Sequence, residues 1–201
     1  MMFVLLVLIG YLIGSVPSGY LSMRLFTGKD IRTLGTGNAT VTAVMIHGGK
    51  RPGIAALLAE IAKGVVCIFI ASALVGELWA SLVILIAAIF GCSWSVWLKG
   101  GGGQGLTIAM AGLVLLNVVA VLIMAVFYLV PLATTKRHLL SNRIFRVSVP
   151  IVLGSWYASW EWALAGCLIV IPSFVKGWAS GDDVVKNREA ESVGHTGAGA
   201  S

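Results

Sequence analysis

Long apolar stretches without charge alternate with short polar stretches along the chain. Six apolar stretches stand out, the second interrupted by charge only twice: 3–23, 54–75, 79–98, 106–135, 147–160 and 162–175. Because about 20 apolar residues cross a bilayer as a helix, the first four are long enough to span it. The last two hold 14 residues each, or about 21 Å of helix, and need flanking residues to cross. The pattern predicts an all-α fold, a polytopic membrane helical bundle.

The composition supports this class, because 58% of the 201 residues are hydrophobic and 11% are charged, against about 25% charged in soluble domains. A net charge of +6 suggests nucleic acid as a partner of a soluble protein. Here the basic residues lie between apolar stretches, so we interpret them as topology signals and contacts to anionic substrates, with no nucleic-acid partner. Cys67, Cys92 and Cys167 lie singly inside apolar stretches, which predicts neither a disulfide nor a metal site. We expect no cofactor.

The distribution of basic residues predicts the orientation in the membrane. The first charge, Arg24, follows the first apolar stretch, so we expect that stretch to be retained with the N-terminus outside. The polar stretch after it is rich in basic residues and is therefore predicted to be cytoplasmic. It contains Arg24, Lys29, Arg32, Lys50 and Arg51. The turn near Glu77 has no Lys or Arg and is predicted to lie outside.

The 30-residue stretch 106–135 decides the rest of the topology. If it crossed once, it would place a group of basic residues outside, against the positive-inside rule. These are Lys136, Arg137, Arg143 and Arg146. A helical hairpin that turns near Leu116-Asn117 keeps them inside, and an outer turn at 160–162 returns the chain. About seven transmembrane segments result, with the C-terminus cytoplasmic. Residues 1–181 are predicted to form a single transmembrane domain, and the polar tail 182–201 is expected to be disordered.

Two glycine-rich stretches face the predicted cytoplasmic side. In the first, Gly35-Thr36-Gly37-Asn38 follows Arg32, and glycines in left-handed conformations can aim successive N–H groups at one anion. The second, 99–105, has five glycines in seven residues and could wrap a phosphate with its backbone. An ordinary turn explains the first stretch as well, and a flexible hinge explains the second.

Glu60 and Lys63 are charged residues within a predicted span. Three residues apart, they lie on neighbouring positions of one helix. Ionisable side chains inside a membrane are costly, so such a pair indicates a functional site. The alternative is a structural ion pair that reaches toward the cytoplasmic face. The three histidines are scattered and have no acid–base partner at a telling spacing, so no hydrolase triad is predicted.

Several motifs together resemble the PlsY family, the bacterial acyl-phosphate:glycerol-3-phosphate acyltransferases. The resemblance spans residues 1 to about 178. Residues 14–20 are similar to the family's GSIPFGY, 30–32 to DIR, 35–38 to GSGN, 59–64 to the DxxKG helix and 97–105 to FLKFKGGKG. The family's seven-helix, N-terminus-out architecture matches the topology predicted from charge.

The chain also departs from the family pattern. Ala39-Thr40-Val41-Thr42-Ala43 replaces xGATN, Gly91-Cys92 replaces GH, and Gln104 replaces the GGKG lysine. The segment 135–140 corresponds to TRYVSL but lacks its serine, and no HRxN signature is recognisable at 176–180. The lost lysine is the largest change, since Gln donates only neutral hydrogen bonds to a phosphate. Either Lys99 takes its place, or activity is reduced or gone.

The resemblance implies metal-free transfer of a fatty acyl group from acyl phosphate to the 1-hydroxyl of glycerol 3-phosphate, giving lysophosphatidic acid for phospholipid synthesis. Membrane lipids are the other expected partners, in the bacterial cytoplasmic (inner) membrane with the active site facing the cytoplasm. Lys63, Arg32 and Gln104 are the expected catalytic residues. The expected substrate-binding residues are Ser15, Gly35, Thr36, Gly37, Asn38, Thr42, Lys99, Gly102, Gly103 and Gly105. The alternative is a catalytically impaired relative that acts as a phosphate- or lipid-binding membrane scaffold. Acyl chain length and oligomeric state stay open.

Overall fold

A computed structural model describes residues 1–180, 183 and 184. The regular structure among these residues is helical, which confirms the predicted all-α class. The helices are α1 (Met2–Ser15), α2 (Ser18–Thr27), α3 (Val41–Gly48), α4 (Lys50–Leu74), α5 (Leu78–Ser93), α6 (Leu106–Leu116), α7 (Val118–Thr135), α8 (His138–Trp156) and α9 (Trp160–Ser180). Short 3₁₀ turns occupy Ile31–Thr33 and Val96–Leu98. Apart from residues 183 and 184, the predicted tail 182–201 lies outside the described residues.

Within the described residues, four helical stretches are long and apolar enough to cross a membrane, by length and composition. They are Met2–Thr27, Lys50–Leu74, Leu78–Leu98 and Val118–Thr135. Large apolar side chains such as Leu58, Phe69 and Leu122 are exposed on the outside of the bundle, where a lipid environment would solvate them without cost. The chain is therefore a polytopic membrane helical protein.

The predicted first span is broken into two helices. Apolar character continues without interruption through this region, but α1 ends at Ser15 and α2 begins at Ser18. Pro17 has no backbone N–H and cannot continue the ladder of a helix interior. The break leaves carbonyl groups of the last turn of α1 without helical partners, and inside a membrane such groups must be satisfied by other parts of the protein.

Small residues bring α1 and α5 into close contact. A methyl group added at Gly14 would overlap the backbone carbonyl of Ala88, and one added at Gly91 would overlap that of Tyr11. Gly10, one turn before Gly14, lies equally close to α5. This small-xxx-small spacing lets two backbones approach closely and gain dispersion contacts that lipid cannot replace. The α1–α5 pair is the tightest helix contact around the site described below.

The predicted division of 106–135 is confirmed at the predicted position. Asn117 is extended (φ −160°, ψ 91°), and its side chain caps α7 by accepting from the Ala120 N–H at 2.9 Å. Its amide also donates to the Tyr157 hydroxyl at 3.3 Å, which links this corner to the turn between α8 and α9. The two arms differ from the predicted hairpin, because α6 packs chiefly on α4 while α7 packs chiefly on α8.

The last two apolar stretches are lengthened by their flanks, as predicted. The helices α8 and α9 contain 19 and 21 residues, or about 28 and 31 Å at about 1.5 Å per residue. Both therefore approach the thickness of the hydrocarbon core. The interior of the bundle is apolar and is centred on fully buried side chains of α5 to α9, among them Leu85, Ile108, Met124 and Leu153.

Candidate active site

The break between α1 and α2 is stabilised by two side chains from other helices. Lys63 of α4 donates its ammonium group to the carbonyl oxygens of Val16, at 2.8 Å, and Gly14, at 3.4 Å. Ser95, just after α5, donates its hydroxyl to the carbonyl of Ser15 at 2.5 Å. These three carbonyls belong to the interrupted end of α1. Hydrogen bonds from side chains elsewhere in the fold therefore replace the helical hydrogen bonds that the break removes.

Glu60 completes a buried polar cluster beneath the break. Its Oε1 atom accepts from the Lys63 ammonium at 2.7 Å and from the Ser18 hydroxyl, and its Oε2 lies 3.5 Å from the Cys92 thiol. Glu60 and Lys63 are 7% and 8% exposed. Burial removes water from both charges, which is tolerated only because each has several partners. The predicted ion pair is confirmed, and it joins α2, α4 and α5.

The first predicted loop begins with a tight turn built by Asp30 and Arg32. The Asp30 carboxylate accepts the Arg32 backbone N–H at 3.0 Å and pairs with its guanidinium at 2.6 Å. Hydrogen bonding to that guanidinium lowers the pKa of Asp30. The Arg32 side chain also lies over the Tyr20 ring, 5.0 Å from its centre. Arg32 therefore serves first to hold the entrance of this loop.

The following residues form a turn that binds a carboxylate. Gly35 and Gly37 have positive φ values of 54° and 75°, which glycine adopts readily. Between them, Thr36 donates its backbone N–H and its hydroxyl to the carboxylate of Asp183, at 2.8 and 2.7 Å. The His47 ring lies 3.6 Å from the same carboxylate, which is 6% exposed. The turn thus offers donors to an anion, and here the anion is a side chain of the same protein.

The second predicted loop packs directly against the end of α5 and against the first loop. Gly103 donates its N–H to the Cys92 carbonyl at 3.0 Å, and a methyl group at Gly102 would overlap the same carbonyl. The Ala39 N–H donates to the Gly102 carbonyl at 3.1 Å. Because Ala39 follows Asn38 directly, this bond joins the two glycine loops into one surface.

Side chains from α8 and α9 cover the other edge of the second loop. Arg146 of α8 donates to Gln104 Oε1 at 3.1 Å, and Ser173 of α9 donates to the same oxygen at 3.2 Å. Lys176 donates to the Gly100 carbonyl at 3.1 Å and lies 5.7 Å above the Trp94 ring. The last two helices therefore bring two cations to the loop.

A narrow cleft of about 10 Å³, room for about one water molecule, opens where these parts meet. Its lining combines the α1–α2 break, the start of α2, the buried acid, the end of α5 and both glycine loops. These residues are Val16, Pro17, Ser18, Gly19, Ala39, Glu60, Cys92, Ser95, Leu98, Gly102 and Gly103. A ligand with a phosphate group would need the loops to separate before it reached Glu60.

The structure brings some of the predicted site residues together and leaves others apart. The two glycine loops, which contain Gly35, Thr36, Gly37, Asn38, Gly102, Gly103, Gln104 and Gly105, lie side by side, and Gly102 and Gly103 line the cleft. Lys63 is bonded to Val16 and Glu60, which also line the cleft. Ser15 is fully buried behind the cleft, between α1 and α5. Thr42, on the first turn of α3, and Lys99 are exposed and do not line the cleft.

Several residues of this site were not predicted from the sequence. Ser18, Ser95 and Ser173 are serines within or beside apolar stretches, where a serine commonly bonds its own helix. Arg146 and Lys176 were interpreted only with the basic residues in general, as topology signals and contacts to anionic substrates, and were not assigned to this site. A serine directly after Pro17, within an apolar stretch, is the signal that could have identified Ser18, since a break there creates unsatisfied backbone groups.

A protein-family model described as glycerol-3-phosphate acyltransferase matches residues 4–179. The chain belongs to this family. Curated members of the glycerol-3-phosphate acyltransferase family share this similarity over most of their length. The protein of Desulforudis audaxviator is 33% identical over 187 residues, 93% of this chain and 94% of the relative. That of Thermosynechococcus vestitus is 30% identical over 181 residues, 85% of each chain.

Solved structures of the family share the fold. PlsY (YgiH), an integral membrane glycerol 3-phosphate acyltransferase crystallised in its glycerol 3-phosphate form, superposes with a TM-score of 0.70 at 22% identity. The match covers 98% of this chain and 94% of that protein. The lysophosphatidic acid form of the same protein also gives a TM-score of 0.70. The resemblance stated from the sequence motifs is therefore confirmed.

Proposed function

We propose that this protein transfers a fatty acyl group from acyl phosphate to the 1-hydroxyl of glycerol 3-phosphate, giving lysophosphatidic acid. Membership of the glycerol-3-phosphate acyltransferase family supports the reaction. The observation that carries the site is the Ala39 to Gly102 hydrogen bond, because it makes one surface of the two loops on which phosphate-bearing substrates would lie. The reaction joins a lipid-soluble donor to a water-soluble acceptor, and a cleft at the end of a membrane bundle suits both.

The acyl transfer does not require a nucleophilic side chain of the protein. An acyl phosphate is a mixed anhydride with a good leaving group, so catalysis consists of holding the acceptor hydroxyl near the acyl carbon and stabilising negative charge. We propose that the loop of Gly35 to Asn38 holds a phosphate with Thr36 donors, and that Gly102 to Gly105 closes over it. Arg32 and Lys99 would add positive charge at the exposed rim.

Lys63 has a less direct role in this proposal. Its ammonium already donates to two backbone carbonyls and to Glu60, so it fixes the shape of the α1–α2 break that forms one wall of the cleft. Glu60 in turn fixes Ser18 at the start of α2. The pair would act by holding the wall against which the substrates bind.

The orientation predicted from charge fits this function. We propose about seven crossings, with the N-terminus outside and the C-terminus and both glycine loops facing the cytoplasm of a bacterial inner membrane. The basic residues of the loops would attract glycerol 3-phosphate and the anionic donor to this face. The acyl chain would lie between helices that are open to the inner leaflet.

Purified protein in liposomes, supplied with acyl phosphate and glycerol 3-phosphate, tests the proposal. We expect lysophosphatidic acid to form, and no product when glycerol replaces glycerol 3-phosphate. The second candidate function is a phosphate- or lipid-binding scaffold. Two observations favour it: Gln104 stands in the place of a lysine, and the Asp183 carboxylate is bound to Thr36 of the first loop. Saturable binding of glycerol 3-phosphate without product would favour that candidate and reject acyl transfer.

A further inference from the structure

The second glycine loop contains a cation, Lys99, that is poorly placed to bind a phosphate at the cleft. Lys99 is exposed, has a left-handed backbone (φ 53°) and does not line the cleft. The loop position that borders the lining residue Gly103 is the neutral Gln104. By itself, the loop would therefore present backbone groups and an amide to a phosphate, while its own cation lies away from the cleft.

The structure places a different cation at that position. The guanidinium of Arg146, which α8 carries, donates to Gln104 Oε1 at 3.1 Å. Its carbon atom Cζ lies 5.5 Å above the centre of the Phe174 ring. A methyl group at Gly177 would come within 3.0 Å of Nη1, so the absence of a side chain there makes room for the guanidinium.

These contacts form a slot on α9 that orients the guanidinium. Gly177 lies about one turn after both Ser173 and Phe174, so it neighbours each of them on the helix surface. Ser173 donates to the same Gln104 oxygen as Arg146 does, which fixes the amide with its oxygen toward α8. A planar guanidinium with five N–H donors matches the geometry of a phosphate better than an ammonium does.

We propose that Arg146 is a substrate-binding residue that supplies, from α8, the positive charge for a substrate phosphate held by the second glycine loop. This inference rests on the proposed function and adds a residue to its site. It also explains the glutamine: an amide oxygen at 104 accepts from Arg146 and orients it, whereas a lysine there would bring two positive charges within about 3 Å of each other and repel it.

The test is a relocation of charge between the two positions. Binding of glycerol 3-phosphate to the purified full-length protein is measured by calorimetry, beside turnover in liposomes. We expect Arg146→Gln to raise Kd by about 10- to 100-fold, as for the loss of a charge-assisted hydrogen bond. Gln104→Lys should restore most of that loss in the Arg146→Gln protein, yet give no gain in the wild type. Arg143→Gln, an exposed arginine on the same helix, is the matched control and should leave Kd unchanged.

A second variant asks the same question without removing the arginine. Gly177→Leu fills the slot on α9 and should displace the guanidinium, so we expect a raised Kd with the net charge unaltered. Thermal unfolding of each variant in detergent shows whether it is folded. If Arg146→Gln or Gly177→Leu is folded and binds as the wild type does, or if Gln104→Lys fails to restore binding, the inference is wrong.

The two measurements separate this inference from the proposed function. Wild-type protein that binds glycerol 3-phosphate with the expected variant pattern but makes no product rejects acyl transfer and retains Arg146 as the phosphate-binding cation. Product formation that is indifferent to Arg146→Gln retains acyl transfer and rejects the role of Arg146. A wild type that binds neither glycerol 3-phosphate nor inorganic phosphate overturns the inference directly.

Discussion

Thr36 and Asp183 are joined by two hydrogen bonds, from the backbone N–H at 2.8 Å and from the hydroxyl at 2.7 Å. The two residues are 147 positions apart in the chain. The Asp183 carboxylate therefore occupies the turn at which the sequence predicted a bound phosphate. A carboxylate and a phosphate accept hydrogen bonds from the same donors, so the two groups would compete for this turn.

Asp183→Ala should therefore strengthen the binding of glycerol 3-phosphate. We expect the KM to fall by about 3- to 10-fold, the amount that corresponds to one or two modest hydrogen bonds. Asp183→Asn, which keeps an acceptor oxygen but no charge, should lie between the wild type and the alanine variant. Initial rates in liposomes over a range of glycerol 3-phosphate concentrations give the KM. A KM that rises in both variants would mean that the carboxylate supports the turn for the substrate.

Lys63→Ala should abolish acyl transfer while the protein still inserts into the membrane. The change removes the donor for the carbonyls at the α1–α2 break and leaves Glu60 buried without its counter-ion, which costs about 3–5 kcal/mol in typical buried pairs. Turnover in liposomes and recovery of the protein in the membrane fraction measure the two effects. Lys136→Ala, at an exposed lysine, is the control and should keep activity.

Removing both charges separates structure from catalysis. Because the Lys63→Met protein retains an uncompensated carboxylate, the double change Glu60→Gln with Lys63→Met should unfold at a higher temperature than Lys63→Met alone. Thermal unfolding in detergent checks the order. Equal unfolding temperatures would show that Glu60 is adequately held by Ser18 and Cys92 without the lysine.

The positions of the helices along the chain were largely predictable, because hydrophobic length and the placement of Lys and Arg carry that information. The corner at Leu116-Asn117 followed from charge alone and is where the structure has it. The break at Pro17 was not predicted, since hydropathy is continuous there and a proline is tolerated in many membrane helices. The packing of α6 on α4 was not predictable either, because it depends on which faces of the helices carry small side chains.

Only those parts of the site that depend on local backbone conformation could be predicted from the sequence. The turn at Gly35 to Asn38 and the glycine run at 100–103 were identified from composition, because glycine permits such backbones. Their contact through Ala39 and Gly102 depends on tertiary structure. The same is true of Arg146, whose contact with Gln104 joins residues 42 positions apart. A sequence pattern on one helix cannot show what the next helix places against it.

Gly14→Leu should destabilise the whole bundle and the site with it. The added side chain would overlap the Ala88 carbonyl, so α1 and α5 would have to separate, and the Ser95 bond to the end of α1 would be lost. Thermal unfolding in detergent should show a clear fall in the midpoint. Leu12→Ala, a change on the exposed face of α1, is the control. A midpoint for Gly14→Leu as high as the control's would contradict the tight α1–α5 contact.

The orientation rests on α8 crossing the membrane with Arg137 inside and Glu161, after the turn to α9, outside. Single cysteines at these exposed positions can be tested with a membrane-impermeant maleimide, in protein whose exposed Cys167 is replaced by Ser. Cys67 and Cys92 are buried and should not react. We expect Glu161→Cys to be labelled in intact cells and Arg137→Cys only in inverted vesicles, since the positive-inside rule keeps the basic end of α8 in the cytoplasm. Labelling of both from one side would show that α8 does not cross. Labelling in the opposite sense would invert the bundle and contradict the proposed cytoplasmic position of Arg146 and the glycine loops.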